Sequence, residues 1–404
     1  MTQQPQAHAT TERHAVIDAL RGFALLGVWM VNLLSLSLYE MLDPAQQAAL
    51  PTARFDAVAI EVLALLVNIK FITLFSLLFG VGFALQLERA QRRGGAALWR
   101  YARRLLVLLG IGAIHAWFVW WGDILLTYAL VGLLMIPLRN ASNRTLLVAG
   151  VSVAMLPPLI APMLRPLLPS LPSQAALYPR ALEAFSGDAW MQALAINMEL
   201  SSWARVSNWA LLCFMLGRFL LGYWAGRQGL LQSPDAHRPL LRRILLGALL
   251  VWALATVLGQ AQAPLRVAWP LIDIAPVKLA IRMLLRAGPL ALGIAYAAGF
   301  VLLFCRPGWA RRLGVLAPLG RMALTHYLTQ SLLGIALFYG LGLGIGPRHG
   351  VVGVLLAWAA VLAAQLWWSA WWLARFNYGP VEWIWRWLTD GKRPAWRRPA
   401  QVTV

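Results

Sequence analysis

The chain has 404 residues, 60% of them hydrophobic and only 12% Asp, Glu, Lys or Arg, and its mean hydropathy is +0.66. That leaves too little polar surface to cover a water-soluble globule of this size, and predicts a polytopic membrane protein. The net charge of +20 would suit nucleic acid, but Lys and Arg cluster in short segments between apolar runs, where they encode topology, so nucleic-acid binding is set aside.

A helix rises 1.5 Å per residue and the hydrocarbon layer is about 30 Å thick. On that scale the first span runs from 15 to 38 and opens with Ile17-Asp18-Ala19-Leu20-Arg21-Gly22-Phe23. It is not expected to be a cleaved signal, because it is long, carries Asp18 and Arg21, and offers no small-x-small site between Leu33 and Tyr39. An intramembrane Arg costs about 2.5 to 3.5 kcal/mol on insertion scales, so Arg21 calls for an anionic partner or a polar cavity. Asn32 follows about three turns further on.

The next stretch, 57 to 87, is too long for one upright helix and contains Lys70. It is read as one broken or tilted crossing, with Gly80 and Gly82 serving close packing rather than a phosphate loop. Spans at 104 to 121 and 123 to 138 follow. The first holds His115 and the second opens at Asp123, where a carboxylate is expected as a helix cap. After a span at 145 to 164, the segment 165 to 206 is the one long external loop, either functional or a cover over the bundle.

Arg218 lies within the span 207 to 226, and further spans are expected at 241 to 260, 284 to 305, 314 to 341 and 350 to 374. The ninth carries Gly320-Arg321-Met322-Ala323-Leu324-Thr325-His326-Tyr327-Leu328-Thr329-Gln330-Ser331. Read as one helix, this is a polar stripe that needs a partner or a cavity, with Thr325, His326 and Gln330 as candidate substrate contacts. Pro380 to Trp387, followed by Lys392 and Arg393, predicts a helix lying at the cytoplasmic interface.

The expected architecture is therefore all-α: a polytopic bundle of about ten transmembrane helices, with a tail at 1–14, the bundle at 15–374 and an interfacial helix and basic tail at 375–404. Segments on the N-terminal side of the membrane hold roughly 22 Lys and Arg against 9 on the other side, which predicts cytoplasmic N- and C-termini. Cys213 and Cys305 have no metal-like or CxxC spacing, and no metal site is expected. Arg21, Arg218 and Arg321 fall at similar depths, about 9 to 12 Å from the inner face by helical rise. Such a layer suits a phosphate or pyrophosphate; the alternative is internal pairing, for instance Arg21 with Asp18, and snorkelling to headgroups.

Several blocks resemble the YeiB-like bacterial inner-membrane proteins, a family long labelled a domain of unknown function. They are Asp18-x-Leu20-Arg21-Gly22-Phe23-Ala24-Leu25-Leu26-Gly27 with Asn32, Phe75 to Gly80, His115 with Gly122-Asp123-Ile124-Leu125 and Tyr128, Gly320 to Thr325 with Tyr327-Leu328 and Gln330-Ser331, and Gly379-Pro380-x-Glu382-Trp383-x-Trp385-Arg386. Family members usually look like Thr-Asn-Tyr-Leu where this chain has Thr325-His326-Tyr327-Leu328, which favours His115 over His326 as a general base.

The family is in turn similar to transmembrane acyltransferases, which take an acyl group from cytosolic acyl-CoA, use a membrane-embedded histidine and deliver to an acceptor on the far side. That resemblance implies acyl-CoA as a co-substrate rather than a tightly bound cofactor, held by Arg21, Arg218 and Arg321. His115 would act as base, Asp123 or Asn32 would orient the acceptor, and the Thr325 region would steady the developing oxyanion. A transporter of an anionic metabolite or lipid-linked anion, and a non-catalytic scaffold, are the alternatives. The lipid bilayer is the one partner common to all three.

Overall fold

The computed structural model describes residues 4–93, 97–167 and 169–398. The expected interfacial helix lies within these residues, whereas the end of the basic tail, 399–404, lies outside them. Among the described residues there is no β-strand, only an isolated bridge between Phe376 and Arg397. Among the described residues, five helical stretches are long and apolar enough to cross a membrane: Ala15–Leu36, Ala53–Glu88, Pro234–Ala268, Ala275–Phe304 and Gly350–Arg375. Two bent pairs raise the number to seven, Asn143–Met155 with Pro157–Leu167 at 50° and Trp190–Ser207 with Ala210–Arg227 at 67°. The protein is a helical membrane bundle.

The long second stretch is two helices, Ala53–Leu66 and Lys70–Arg93, parted at 67–69 where Ile69 takes a positive φ of 69°. A broken helix leaves carbonyls without partners. Here the Lys70 ammonium donates to the Ala64 carbonyl and the Tyr296 hydroxyl donates to Leu66, so the one Lys in this stretch clamps the break. The first helix is assigned from Gln4, and so begins inside the segment expected to be a tail.

The stretch expected as one helix at 314 to 341 is two pieces, Ala317–Arg321 and Ala323–Phe338, parted at Met322 and preceded by a separate short helix, Pro307–Gly314. Small residues explain where the Ala317–Arg321 piece sits. A methyl group on Gly320 would overlap the Asp18 carbonyl, and one on Gly22 would overlap that of Leu316, so the short helix crosses the first helix in backbone contact. The freed amides of Leu324 and Thr325 donate to Glu382 Oε1, at 2.7 and 3.0 Å. Glu382 thus caps a helix more than fifty residues away in sequence.

Gly80 behaves as a packing residue: a methyl there would strike the Phe219 carbonyl, and Gly222 meets Leu77 from the other side. Close approach of Lys70–Arg93 and Ala210–Arg227 stacks Phe79 on Phe219 at 4.7 Å and sets Phe83 edge-on to Tyr223 at 4.7 Å. Contacts of this kind hold helices together where lipid removes the hydrophobic drive between them.

Within the segment expected to be an external loop, Gln174–Ser186 and Trp190–Ser207 are helices. Phe185 stacks on Tyr339 at 4.5 Å, and Gly340 donates its amide to the Phe185 carbonyl. The helix expected at the interface, Pro380–Asp390, docks on Ala97–Phe118 through an indole bond from Trp385 to the Arg104 carbonyl at 2.9 Å.

Candidate functional site

A cavity of about 420 Å³ opens among the first helix, Lys70–Arg93, Ala97–Phe118, the break at Met322 and the interfacial helix. Its lining changes character along its length. At one end stand Arg21, Arg104, Arg321 and Arg386, together with Asp18, Gln86, Asn377 and Glu382; the remainder is apolar or aromatic, including Leu25, Val28, Phe75, Leu108 and Ile124, and ends at Tyr128 and Tyr327.

Four guanidiniums face two carboxylates in this lining, a formal balance of +2. The carboxylates are occupied. Asp18 pairs with Arg21 at 3.3 Å, and Glu382 accepts the amides of Leu324 and Thr325 and the Thr325 hydroxyl. Burial pushes the Glu382 carboxyl up from its ordinary range, while the hydrogen bonds from Thr325 and Leu324 pull the other way. Arg104 donates to Gln86 at 3.2 Å and lies 4.0 Å over the Trp385 ring, and Arg386 lies over Tyr378. Arg321 has no hydrogen-bond or ion-pair partner among the described residues. Gly82 leaves the room in which Arg21 sits, since a methyl on it would lie 3.5 Å from Arg21 Nη2. It therefore shapes the cavity rather than a helix contact.

Beyond the aromatic end lies a buried, hydrogen-bonded His–Asp pair. His115 Nδ1 meets Asp123 Oδ1 at 2.8 Å, and Asp123 Oδ2 accepts the Leu126 amide at 2.9 Å. Asp123 is thus the expected cap and a histidine partner at once. A carboxylate on Nδ1 fixes that nitrogen as the protonated one and leaves the Nε2 lone pair as the base. Nε2 is buried and makes no hydrogen bond. The His115 ring is 5.3 Å from that of Tyr327, whose hydroxyl accepts the Ile124 amide at 3.2 Å and whose side chain closes the cavity. Eleven residues of helix separate Arg104 from His115, about 16 Å.

Of the expected donor-site arginines, Arg21 and Arg321 share the cavity and Arg218 does not. Arg218 is only 2% exposed; its Nε donates to Thr73 at 2.8 Å, its Nη1 to the Phe214 carbonyl at 2.9 Å, and its guanidinium lies 3.3 Å from the Phe214 ring centre. It serves the packing of its own helix against Lys70–Arg93. Asn32 is buried but lines no part of the cavity and has no hydrogen bond to His115 or Asp123. The polar stripe turns away as well: His326 Nε2 meets Ser369 Oγ at 2.6 Å, and Gln330 donates to Gln365 at 2.9 Å, both on Gly350–Arg375. Thr325 is committed to Glu382 and to the Val381 amide. These three residues join helices, since the break at Met322 rotates them away from the cavity that Arg321 enters.

Sequence reasoning passed over Arg104, Arg386 and Glu382. The two arginines were absorbed into the topological charge count, and the Trp385-Arg386 pair beside Glu382 was the available signal. It also passed over the helix Trp190–Ser207, where Asn197 and Ser201 donate to the Ala116 and Trp117 carbonyls at the end of the His115 helix, and Arg205 Nη2 lies 4.0 Å from Asp123 Oδ2.

Fold and site together define a multi-helix membrane protein with an arginine-bearing cavity and, next to its Tyr327, a buried His–Asp pair. The family described as "Protein of unknown function (DUF418)" matches residues 225–392. An uncharacterized protein, YxaH of Bacillus subtilis (strain 168), is 30% identical over 416 residues, covering 94% of this chain and 95% of its own. Another, YeiB of Escherichia coli (strain K12), is 31% identical over 398 residues, covering 94% and 96%. The chain belongs to this YeiB-like DUF418 family. No solved structure matches it.

Proposed function

We propose that this protein is an acyltransferase of the bacterial cytoplasmic membrane that moves an acyl group from cytosolic acyl-CoA to an acceptor at the outer face. The observation that carries the reading is the proximity of two features: an arginine cluster with excess positive charge in the cavity, and, across the Tyr327 ring of its lining, an imidazole with a carboxylate on Nδ1 and an unpartnered Nε2. The guanidinium fork matches phosphate oxygens, so Arg21, Arg104, Arg321 and Arg386 would seat the CoA phosphates. The apolar middle would take the pantetheine arm and bring the thioester towards Tyr327 and His115.

The step balances without a redox partner or a covalent enzyme intermediate. His115 Nε2 takes the proton of an acceptor hydroxyl or amine, the acceptor oxygen or nitrogen bonds to the thioester carbonyl carbon, and the carbon–sulfur bond breaks. The proton passes to the departing thiolate, giving CoA thiol and the acylated acceptor. Asp123 holds the imidazole tautomer and favours the imidazolium as it forms.

In this reading the chain crosses the membrane ten times with both termini cytoplasmic. The five long stretches and two bent pairs are completed by Ala97–Phe118, Leu125–Leu134 and Ala323–Phe338. Transfer of label from radiolabelled acetyl-CoA and longer acyl-CoAs, added to inverted membrane vesicles, into extractable products tests the reading. Label that depends on His115 supports it, and no transfer or CoA-thiol release above vector vesicles counts against it. One observation favours a transporter of an anionic metabolite instead: the helix break at Met322 lies beside Arg321, and broken helices often line transport sites. Counterflow of intact CoA species in vesicles, without loss of the thioester, would support that alternative.

A further inference from the structure

On the far side of the His115–Asp123 pair from the arginine-ringed cavity, one more guanidinium is built in. Arg205, near the end of Trp190–Ser207, is fixed through one nitrogen only: Nη1 donates to the Ser201 carbonyl and to Ser201 Oγ, while the guanidinium lies 4.7 Å from the Trp117 ring centre. Ser201 is itself held by the Ala116 carbonyl at 2.8 Å, so the anchor is rigid. Nε and Nη2, the remaining side-on pair of donors, are buried and make no hydrogen bond. This is the edge with which Arg binds a carboxylate or phosphate in two parallel bonds.

Asp123 stands at ion-pair range of that edge without hydrogen-bonding it. Its Oδ2 lies 4.0 Å from Nη2, beyond hydrogen-bond reach, and already accepts the Leu126 amide. Two buried guanidinium donors left without an acceptor are costly, so a group that supplies one is favoured. The Arg205 side chain as a whole is 21% exposed, while the Nε and Nη2 edge itself is covered.

We propose that Arg205 is the acceptor-recognition residue: it holds an oxyanion, a carboxylate or a phosphate, on the acceptor molecule and so delivers the hydroxyl or amine to His115 Nε2. The inference rests on the acyl-transfer reading and narrows the acceptor to an anion-bearing one. The donor and acceptor would then be gripped by separate arginines on opposite sides of one histidine.

The test uses full-length protein in detergent carrying Arg21→Ala and Arg321→Ala, which weaken the inner cluster. The unfolding midpoint is followed while sodium phosphate, and separately sodium acetate, is titrated against sodium chloride of equal ionic strength. The expected result is a saturable rise with at least one of the two oxyanions that is lost with Arg205→Gln, reduced with Arg205→Lys, and retained with the surface control Arg180→Gln. In chloride alone, Arg205→Gln is expected to leave the midpoint unchanged or higher.

An equal rise with and without Arg205, or no rise with either oxyanion, overturns the proposal. So does a lowered midpoint in chloride with an intact oxyanion response, the behaviour of a plain structural partner of Asp123. Should Arg205→Gln fail to fold, Arg205→Lys decides, since it keeps the charge and lacks the fork. Acyl-CoA stabilisation of otherwise wild-type protein is measured in parallel. Its loss condemns the acyl-transfer reading, whereas its presence without an Arg205-dependent oxyanion response condemns this proposal alone.

Discussion

His115 and Asp123 lie eight residues apart, one near the end of Ala97–Phe118 and the other in the turn before Leu125–Leu134, yet their side chains meet at 2.8 Å, and the second carboxylate oxygen of Asp123 caps the helix that follows. One residue therefore sets both the imidazole tautomer and the start of Leu125–Leu134. The two roles separate by substitution. Asp123→Asn keeps an oxygen for the Leu126 amide and is expected to change stability by no more than about 1 kcal/mol. It surrenders the charge that orients His115, and acyl transfer is expected to fall about 100-fold or more. Asp123→Ala loses the cap as well, and its midpoint should fall further. Equal turnover for Asp123→Asn and wild type would remove His115 as the base.

Gly82 gives a cleaner test of the cavity than any arginine. Because a methyl there lies 3.5 Å from Arg21 Nη2 and 4.0 Å from Gln86 Nε2, with no backbone in the way, Gly82→Leu should fold and project into the space. Thermal denaturation should place it within about 1.5 kcal/mol of wild type, while the acyl-CoA concentration needed for half-maximal stabilisation rises at least tenfold. Gly320→Ala is the contrast: overlap with the Asp18 carbonyl should cost about 1–3 kcal/mol through a forced backbone shift.

Arg218 separates packing from binding. Removing a buried charge in favour of a shape-matched apolar chain can be neutral or stabilising. Arg218→Met is therefore expected to alter the unfolding midpoint in either direction while leaving the acyl-CoA response of the protein intact. Loss of that response would return Arg218 to the donor site.

Glu382 carries a pH signature. Burial raises its carboxyl above the ordinary value of 4.5, so the folded protein holds the proton to higher pH than the unfolded chain. Its contribution is then most favourable below that ordinary value and is lost as pH rises through the folded-state value. Glu382→Gln mimics the protonated form at every pH. The midpoint of wild type relative to Glu382→Gln should therefore fall as pH is taken from about 4 to 7, and a difference that grows with pH would contradict this.

Much of the bundle was legible because a charge or an imidazole in an apolar run stands out. Arg21, Arg321, His115 and Asp123 were found that way, and each lines or adjoins the cavity. Arg218 stood out equally and belongs elsewhere, since composition fixes how deep a residue lies but not which way its helix is turned. Arg104 and Arg386 were hidden by the same rule in reverse, counted as topological charge although their side chains reach inward. The break at Met322 was signalled only by Gly314, Pro318, Gly320 and a span longer than a crossing needs. Treating it as continuous placed Thr325, His326 and Gln330 on the wrong surface.

The most direct test of the central claim is the thermal midpoint of purified protein with acetyl-CoA and longer acyl-CoAs, compared among wild type, Arg21→Ala, Arg104→Ala, Arg321→Ala and His115→Ala. A ligand at 100 times its dissociation constant adds about 2.7 kcal/mol, enough to move the midpoint measurably. The account predicts that acyl-CoA stabilises wild type and His115→Ala, and that each arginine variant loses most of the effect. A well-folded wild-type protein whose midpoint no CoA species shifts, or arginine variants that respond as fully as wild type, would contradict it.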